Sequence, residues 1–306
     1  MAGYRSRLRC CSRYKTDEKS ALPAGRGFLR MLPAAALLLV TLGCSCHMNL
    51  PAPIGLIKTE ASMALNGHEF DLRLSKPAQA AAGDVLIIYA TGDGGWLGLG
   101  GDVFQWLASW NYPIAGFSSR GYIHNLGLSS DAETTTPRRL VRDYENIIAF
   151  AETRLGLPSS TPIILVGLSR GAGFAVVAAG EGGLDQRLAG LLAIALTKEE
   201  EHVMRNRPRN ARSVNNPRQR PQVMIETYTY LSRIGSLPLM VLQSTNDGYL
   251  PADAARKLFG ADTDLRKLRA VEASNHSFSG GCQTLYQDTQ DALKWMTGLI
   301  AARRAK

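Results

Sequence analysis

The chain is poor in the groups that metal and redox chemistry need. It has five histidines and five cysteines in 306 residues, and the cysteines fall at 10, 11, 44, 46 and 282. That spacing matches neither a zinc site nor a disulfide framework. A Cys46–Cys282 bridge is open to a chain cut before Cys44, but nothing in the sequence requires it. No apolar run reaches the ~20 residues of a standard transmembrane helix. The glycines carry no GxGxxG fingerprint and no P-loop lysine, which argues against a nucleotide phosphate site. Neither a metal nor a cofactor is expected.

Basic charge outside the N-terminus is also scarce. The net charge is +9, but residues 1–43 carry +6 of it and residues 44–306 only +3. The basic balance is therefore mostly a property of a leader, and nucleic acid is not an expected partner. Within that leader, residues 32–43 (LPAAALLLVTLG) form an apolar run of twelve, preceded by Arg26 and Arg30 and followed by Gly43-Cys44. This length and these flanks suit the apolar segment of a secretory signal. A small residue before cysteine resembles a bacterial lipoprotein signal, although Thr41 stands where leucine is usual. Export to the bacterial envelope is expected, periplasmic or membrane-anchored through Cys44. An uncleaved hydrophobic anchor is the alternative.

What remains is enough for a sizeable core: 45% hydrophobic and 20% charged residues are ordinary for a globular protein. Residues 44–64 read as a linker and residues 65–306 as the main domain. MALNGHEFDLRLSKP places Asn-Gly between alternating apolar positions, a hairpin pattern. Unbroken apolar runs follow: Val85–Tyr89, Ile114–Phe117, Ile163–Val166, Leu191–Leu196, Leu239–Leu242 and Leu268–Val271. Such runs are strands buried on both faces. Helical patterns lie between and after them, at Asp102–Trp110, Pro137–Leu155, Ala172–Ala179, Ala252–Phe259 and Thr284–Ala301. Thr136 is placed to cap the second, with Pro137 at its first position. The alternation predicts an α/β domain with a mostly parallel central sheet and helices on both faces. No repeat is visible. Residues 198–220 break the rhythm with seven Lys/Arg, three Glu and little apolar content. They read as a solvated excursion, or as a lid or recognition loop near the rim.

The stretch VGLSRGAG at 166–173 contains Gly-x-Ser-x-Gly, the nucleophile-elbow pattern. Three fixed residues alone are a weak signal. Context strengthens it, because Ser169 follows a buried strand and precedes a helix of small residues. A serine hydroxyl needs a histidine base, and the histidine needs a carboxylate to hold its tautomer. His47 and His68 precede the sheet, and His124 and His202 sit in polar stretches. His276 follows the last core strand and is the choice. Between serine and histidine, Asp247 follows the penultimate strand. Its rival, Asp253, falls inside the next helix pattern. The catalytic set is therefore read as Ser169, Asp247 and His276, each after a different strand, where open α/β sheets place their crevice. For the oxyanion, one donor is the backbone N–H of Arg170, and the other is Asp93 or Gly94 in the turn TGDGGW.

These residues resemble the α/β-hydrolase superfamily over roughly 65–300. Within it the chain is similar to bacterial VirJ/AcvB-type virulence proteins. The likeness rests on TGDGGW at 91–96, GFSSRGY at 116–122, TTPRRLVRDYENII at 135–148 and LTKEEEHV at 196–203. That family's elbow reads Gly-Tyr-Ser-Phe-Gly-Ala-Asp, so Arg170 stands here in place of an aromatic and Gly173 in place of an acid. The family has His-His-Phe where this chain has Asn275-His276-Ser277-Phe278. The resemblance implies an exported protein and hydrolysis of lysyl-phosphatidylglycerol. The residues themselves imply a serine hydrolase of small-molecule or lipid carboxylic esters. A binding or secretion-accessory protein on a hydrolase scaffold is the remaining reading. Mass spectrometry of the mature protein checks the leader: residues 1–43 should be missing, and a diacylglyceryl mass should sit on Cys44 if it is lipidated. A soluble cytoplasmic product beginning near Met1 would contradict export.

Overall fold

A computed structural model describes residues 56–77, 85–128, 136–184, 186–201 and 224–304. The leader 1–43 and most of the basic excursion lie outside the described residues. Among the described residues ten strands and seven helices follow one another. A hairpin comes first, β1 (Leu56–Leu65) and β2 (His68–Pro77), turning through Asn66 and Gly67, both at positive φ. Then come β3 (Leu86–Ala90), α1 (Leu99–Ser109), β4 (Ile114–Phe117), α2 (Ser119–Leu128) and α3 (Pro137–Leu155). The second half holds β5 (Ile163–Leu168), α4 (Arg170–Glu181), β6 (Leu188–Ile194), β7 (Glu199–Glu201) and β8 (Met224–Glu226). It ends with α5 (Thr227–Arg233), β9 (Leu239–Ser244), α6 (Ala252–Phe259), β10 (Arg266–Val271) and α7 (Cys282–Arg304).

Eight strands form one sheet in the order β1-β2-β4-β3-β5-β6-β9-β10. From β4 to β10 every pairing is parallel, and the hairpin joins antiparallel through β2. The apolar runs are continuous because both sheet faces are covered. On β3, Leu86, Ile88 and Ala90 pack with α2 to α6, while Ile87 and Tyr89 pack with α1 and α7. Leu165 on β5 likewise faces the first core, and Ile164 and Val166 face the second. One strand thus serves two cores by alternation. The mostly parallel sheet with helices on both faces is the architecture expected.

Boundaries and some elements differ from expectation. The strand begins at Leu56, inside the stretch read as linker. Ala61, Met63 and Leu65 turn toward the core while Lys58, Glu60 and Ser62 stay exposed. That is alternation on an edge strand, diluted by small and polar residues. Helix α2 was not anticipated, because SRGYIHNLGL carries two glycines. It forms because Tyr122, Ile123 and Leu126 are buried. Its start is held by Ser118, whose Oγ accepts the Gly121 N–H at 3.1 Å. Tertiary burial there overrides propensity. Thr136 caps α3 as expected, its side chain accepting from the Arg139 N–H, and Gly156 ends that helix in the left-handed conformation. Cys282 is disulfide-bonded. The other four cysteines, Cys46 among them, lie outside the described residues. Among the described residues no helix is long and apolar enough to cross a membrane.

The hairpin is tied to the helices by one buried carboxylate. Asp143 on α3 accepts from the Tyr122 hydroxyl of α2 at 2.7 Å and from the Asn66 amide of the hairpin turn at 3.1 Å. Arg139 in turn donates to Asn66 Oδ1 at 3.3 Å. Burial raises the Asp143 carboxyl above its ordinary value, and these donors only partly offset that. Replacing Asp143 with alanine should take away the acceptor of the buried Tyr122 hydroxyl and the nearer of the two acceptors that the Asn66 amide has. The expected cost is about 2–4 kcal/mol, read by urea unfolding. A loss below about 0.5 kcal/mol, the usual surface value, would show that the network is idle.

Candidate active site

The elbow is built by crowding. Strand β5 ends at Leu168, α4 starts at Arg170, and Ser169 between them sits at φ 52° and ψ −118°. Positive φ is uncommon for a residue with a side chain and persists only where surroundings enforce it. Here they do. A Cβ on Gly167 would lie 2.2 Å from the Gly171 carbonyl oxygen, and one on Gly171 would lie 2.1 Å from the Ala90 oxygen. Only glycine lets the first turn of α4 approach β5 and β3 so closely. Ser169 is also pinned by its own backbone, its N–H donating to Ile194 O on β6 at 2.8 Å.

The structure brings the three sequence-predicted residues together. Ser169 Oγ lies 2.8 Å from His276 Nε2, and His276 Nδ1 lies 2.7 Å from Asp247 Oδ2. Asp247 comes three residues after β9, and its side chain is fully buried. Its second oxygen, Oδ1, accepts from the backbone N–H groups of Tyr249 at 2.8 Å and Leu250 at 3.3 Å. Gln243 Nε2 donates to Oδ2 at 2.9 Å and to Leu250 O at 2.7 Å, bracing the turn. Burial by itself would raise the Asp247 carboxyl. The hydrogen bond and charge of His276 and the two backbone donors outweigh it and hold the group below the ordinary carboxylate value. Asp253, the rival, is exposed in the first turn of α6.

His276 lies in a loop after β10 that is anchored at several points. Asn275 Oδ1 accepts from the Ser277 and Ser279 N–H groups at 3.0 and 3.1 Å, and the Phe278 side chain is fully buried. Asn246 Nδ2 and the Thr245 hydroxyl both reach Ala273 O, at 2.7 and 3.2 Å, joining the acid's loop to the histidine's. The Tyr249 ring stands edge-on to the imidazole, centroids 4.8 Å apart. Of the other histidines, His68 lies on β2 and His124 on α2, while His47 and His202 lie outside the described residues.

The glycine-rich turn after β3 meets the serine from the other side. A Cβ on Gly92 would lie 3.2 Å from Ser169 Cβ. Residues 92–95 close a tight turn through the Gly95 N–H to Gly92 O bond of 3.0 Å. Asp93 and Gly94, the two expected second donors, follow Gly92 directly in this turn. Arg170, whose N–H begins α4, extends its side chain back to this turn. Its Nε bonds Asp93 Oδ1, and its Nη2 lies 3.1 Å from Asp93 Oδ2.

Sequence reasoning missed one charged neighbour. Glu200 falls in the stretch 198–220, whose composition reads as a solvated excursion or as a lid or recognition loop. The structure buries it on β7, which pairs antiparallel with β8 beyond the excursion. Its Oε2 lies 3.6 Å from Arg170 Nη1, and the Thr197 hydroxyl bonds Oε1. Burial raises the Glu200 carboxyl, with Thr197 and Arg170 acting against that. Its side chain fills the space above Gly173, where a Cβ would come 2.3 Å from Glu200 Cγ. The available signal was Gly173 itself, because a glycine in a helix's first turn marks a close approach. Among the described residues no cluster of three or more His, Cys, Asp or Glu is placed to hold a metal.

Comparison with known proteins places these features in context. A family model described as bacterial virulence protein (VirJ) matches residues 84–201. This stretch holds the glycine-rich turn, the elbow and Glu200, and ends before Asp247 and His276. No curated protein matches the chain. Among solved structures, one described as a dienelactone hydrolase from Klebsiella pneumoniae is 14% identical, with a TM-score of 0.56, covering 79% of this chain and 98% of its own. Est1E from Butyrivibrio proteoclasticus is 12% identical, with a TM-score of 0.52, covering 81% and 99%. An α/β serine hydrolase homologue from Coxiella burnetii is 14% identical, with a TM-score of 0.52, covering 75% and 94%. At such identity the likeness speaks to the fold, and the fold is that of the α/β hydrolases.

The ionised state of Asp247 has a consequence for acid stability. Its folded value is depressed, so its contribution is present above the unfolded value of about 3.9 and is lost as pH falls through the folded value. The stability difference between the wild type and Asp247→Asn should therefore shrink as pH is lowered from about 5 toward 2, measured by urea unfolding at each pH. A difference independent of pH would mean that folding does not depress the carboxyl, and one that grows toward low pH would mean that the fold holds it protonated.

Proposed function

We propose that this chain is a serine hydrolase of carboxylic esters acting through an acyl-enzyme. The observation that carries the reading is the continuous chain Ser169 Oγ, His276 Nε2, His276 Nδ1, Asp247 Oδ2, with links of 2.8 and 2.7 Å. In this reading the Ser169 oxygen attacks the ester carbonyl carbon while His276 Nε2 takes its proton. Asp247 accepts from Nδ1–H, holds the tautomer and stabilises the imidazolium. The carbonyl oxygen becomes an oxyanion, met by the Arg170 and Asp93 backbone N–H groups. The proton passes to the leaving alkoxide, giving the alcohol and the acyl-serine. Water, deprotonated by the same histidine, then releases the acid and restores Ser169.

Two exposed apolar side chains flank these parts. Leu97 lies on the donor turn at 82% exposure and Tyr249 beside His276 at 74%. They suit a substrate with an apolar acyl or alcohol portion. The leader and the disulfide at Cys282 support export, since disulfides persist in oxidising compartments. A lipid anchor at Cys44 would bring the site to a membrane surface.

A second reading is hydrolysis of a cationic aminoacyl lipid such as lysyl-phosphatidylglycerol. The match of residues 84–201 to the VirJ model and the Glu200 carboxylate near the nucleophile favour it. In the sequence, Gly173 lacks the acid of the VirJ/AcvB elbow, but Glu200 supplies a carboxylate at that place from β7. Arg170 already engages it, which favours neutral esters. A panel of neutral p-nitrophenyl esters against lysyl-phosphatidylglycerol vesicles separates the two. Fluorophosphonate labelling of Ser169 separates both from a non-catalytic scaffold.

Ser169→Ala and His276→Ala should each cut ester turnover by a factor on the order of 10⁴–10⁶ while the fold persists. Asp247→Asn should cost somewhat less, through the wrong imidazole tautomer. Asp253→Asn should be indistinguishable from wild type. If Asp253→Asn is crippled and Asp247→Asn is not, the acid is misassigned. If Ser169→Ala turns over every ester that the wild type cleaves, the elbow is only a turn.

A further inference from the structure

Arg170 plays two parts in the geometry around Ser169, and the proposed mechanism uses one of them. Its backbone N–H is the first oxyanion donor. Its side chain grips Asp93, one of the two expected second donors. The two residues are separated by 77 positions in sequence, and their contact is bidentate. We propose that the Arg170–Asp93 pair is a latch that holds the two oxyanion donors in register at the ends of the paired strands β3 and β5, making Arg170 and Asp93 positioning residues through their side chains. This rests on the reading of Ser169 as nucleophile.

Several observations converge on it. Glycine packing sets the approach of the two segments: Gly171 against Ala90 and Gly92 against Ser169, where a Cβ would come within 2.1 and 3.2 Å. That packing fixes a distance, and the glycines at 92, 94 and 95 leave the orientation of the turn's peptides dependent on further contacts. The guanidinium supplies the missing restraint. A planar fork on a carboxylate defines direction as well as distance. Arg170 is itself oriented from behind by Glu200 at 3.6 Å, and its side chain is only 13% exposed. Asp93, by contrast, is 65% exposed. With Asp93 open to water, solvent screens the pair's contribution to overall stability. Alignment is the role that its geometry leaves.

Side-chain substitution tests this cleanly, because it leaves both backbone donors in place. Arg170→Met, Asp93→Asn and the double variant are compared with wild type on p-nitrophenyl acetate. Affinity is measured for an aryl trifluoromethyl ketone, which adds Ser169 to form a tetrahedral oxyanion. Deleting a whole oxyanion donor costs 10²–10³ in related chemistry, so misalignment should lower kcat by about 10–100-fold. KM should stay within about threefold, the mark of an interaction made only in the transition state. Ketone affinity should fall by the same factor as kcat. The double variant should be no worse than Arg170→Met alone, because Asp93→Asn removes a contact that this variant has already lost. Arg170→Lys, a point charge without the fork, should recover only part of the loss. If Arg170→Met fails to fold, Asp93→Asn carries the test, its side chain being exposed. The latch is refuted if kcat stays within about twofold, if the two losses multiply, or if kcat falls while ketone affinity holds. Ser169→Ala, run alongside, separates the failures: if it keeps turnover, the nucleophile assignment falls and the latch with it.

Discussion

How closely the first turn of α4 can come to the ends of β3 and β5 decides the shape of everything around Ser169. Gly167 and Gly171 permit contacts that a single methyl group would prevent, and Ser169 is left with a backbone conformation it would not adopt alone. That conformation lifts the hydroxyl out of the strand and toward His276, and it places the serine directly before the first backbone N–H of α4. Gly92 presses on the serine from the next strand over, so the donor turn and the nucleophile are neighbours by packing rather than by sequence. Histidine and acid arrive from the other side, on loops after β10 and β9 that are tied to each other at Ala273.

Charge is arranged around this packed centre in two unlike settings. On one side Asp247 is fully buried and surrounded by donors, so it stays ionised and orients the imidazole. On the other, Arg170 lies between exposed Asp93 and buried Glu200, a line of charges beside the nucleophile. Burial raises Glu200 while Arg170 and Thr197 act to keep it charged. Carboxylates on the two sides thus respond to burial with opposite outcomes, because only Asp247 collects enough hydrogen bonds to overcome it.

Much of this was legible before any coordinates. Apolar runs such as Ile163–Val166 announced central strands, because a parallel sheet buried on both faces leaves no room for alternation. Gly-x-Ser-x-Gly after such a run, an acid after the next-to-last strand and a histidine after the last one named the three residues by order alone. The less legible parts were those whose stability comes from distant partners. Helix α2 has poor propensity and forms because its apolar face is buried. Strands β7 and β8 have three residues each and stand on opposite sides of a basic excursion, so neither shows a pattern of its own.

The amino-acid sequence by itself determined the class of the fold, the place of the elbow and the identity of serine, acid and histidine. All of these rest on local pattern: continuous apolar runs, glycines where a side chain cannot fit, and chain order along a parallel sheet. Only the packed chain showed that Arg170 turns back to Asp93 and that Glu200 is buried above Gly173. Those are contacts between residues up to 77 positions apart, and a charged side chain reads the same in sequence whether it faces water or a partner. Its surroundings exist only once the chain has packed.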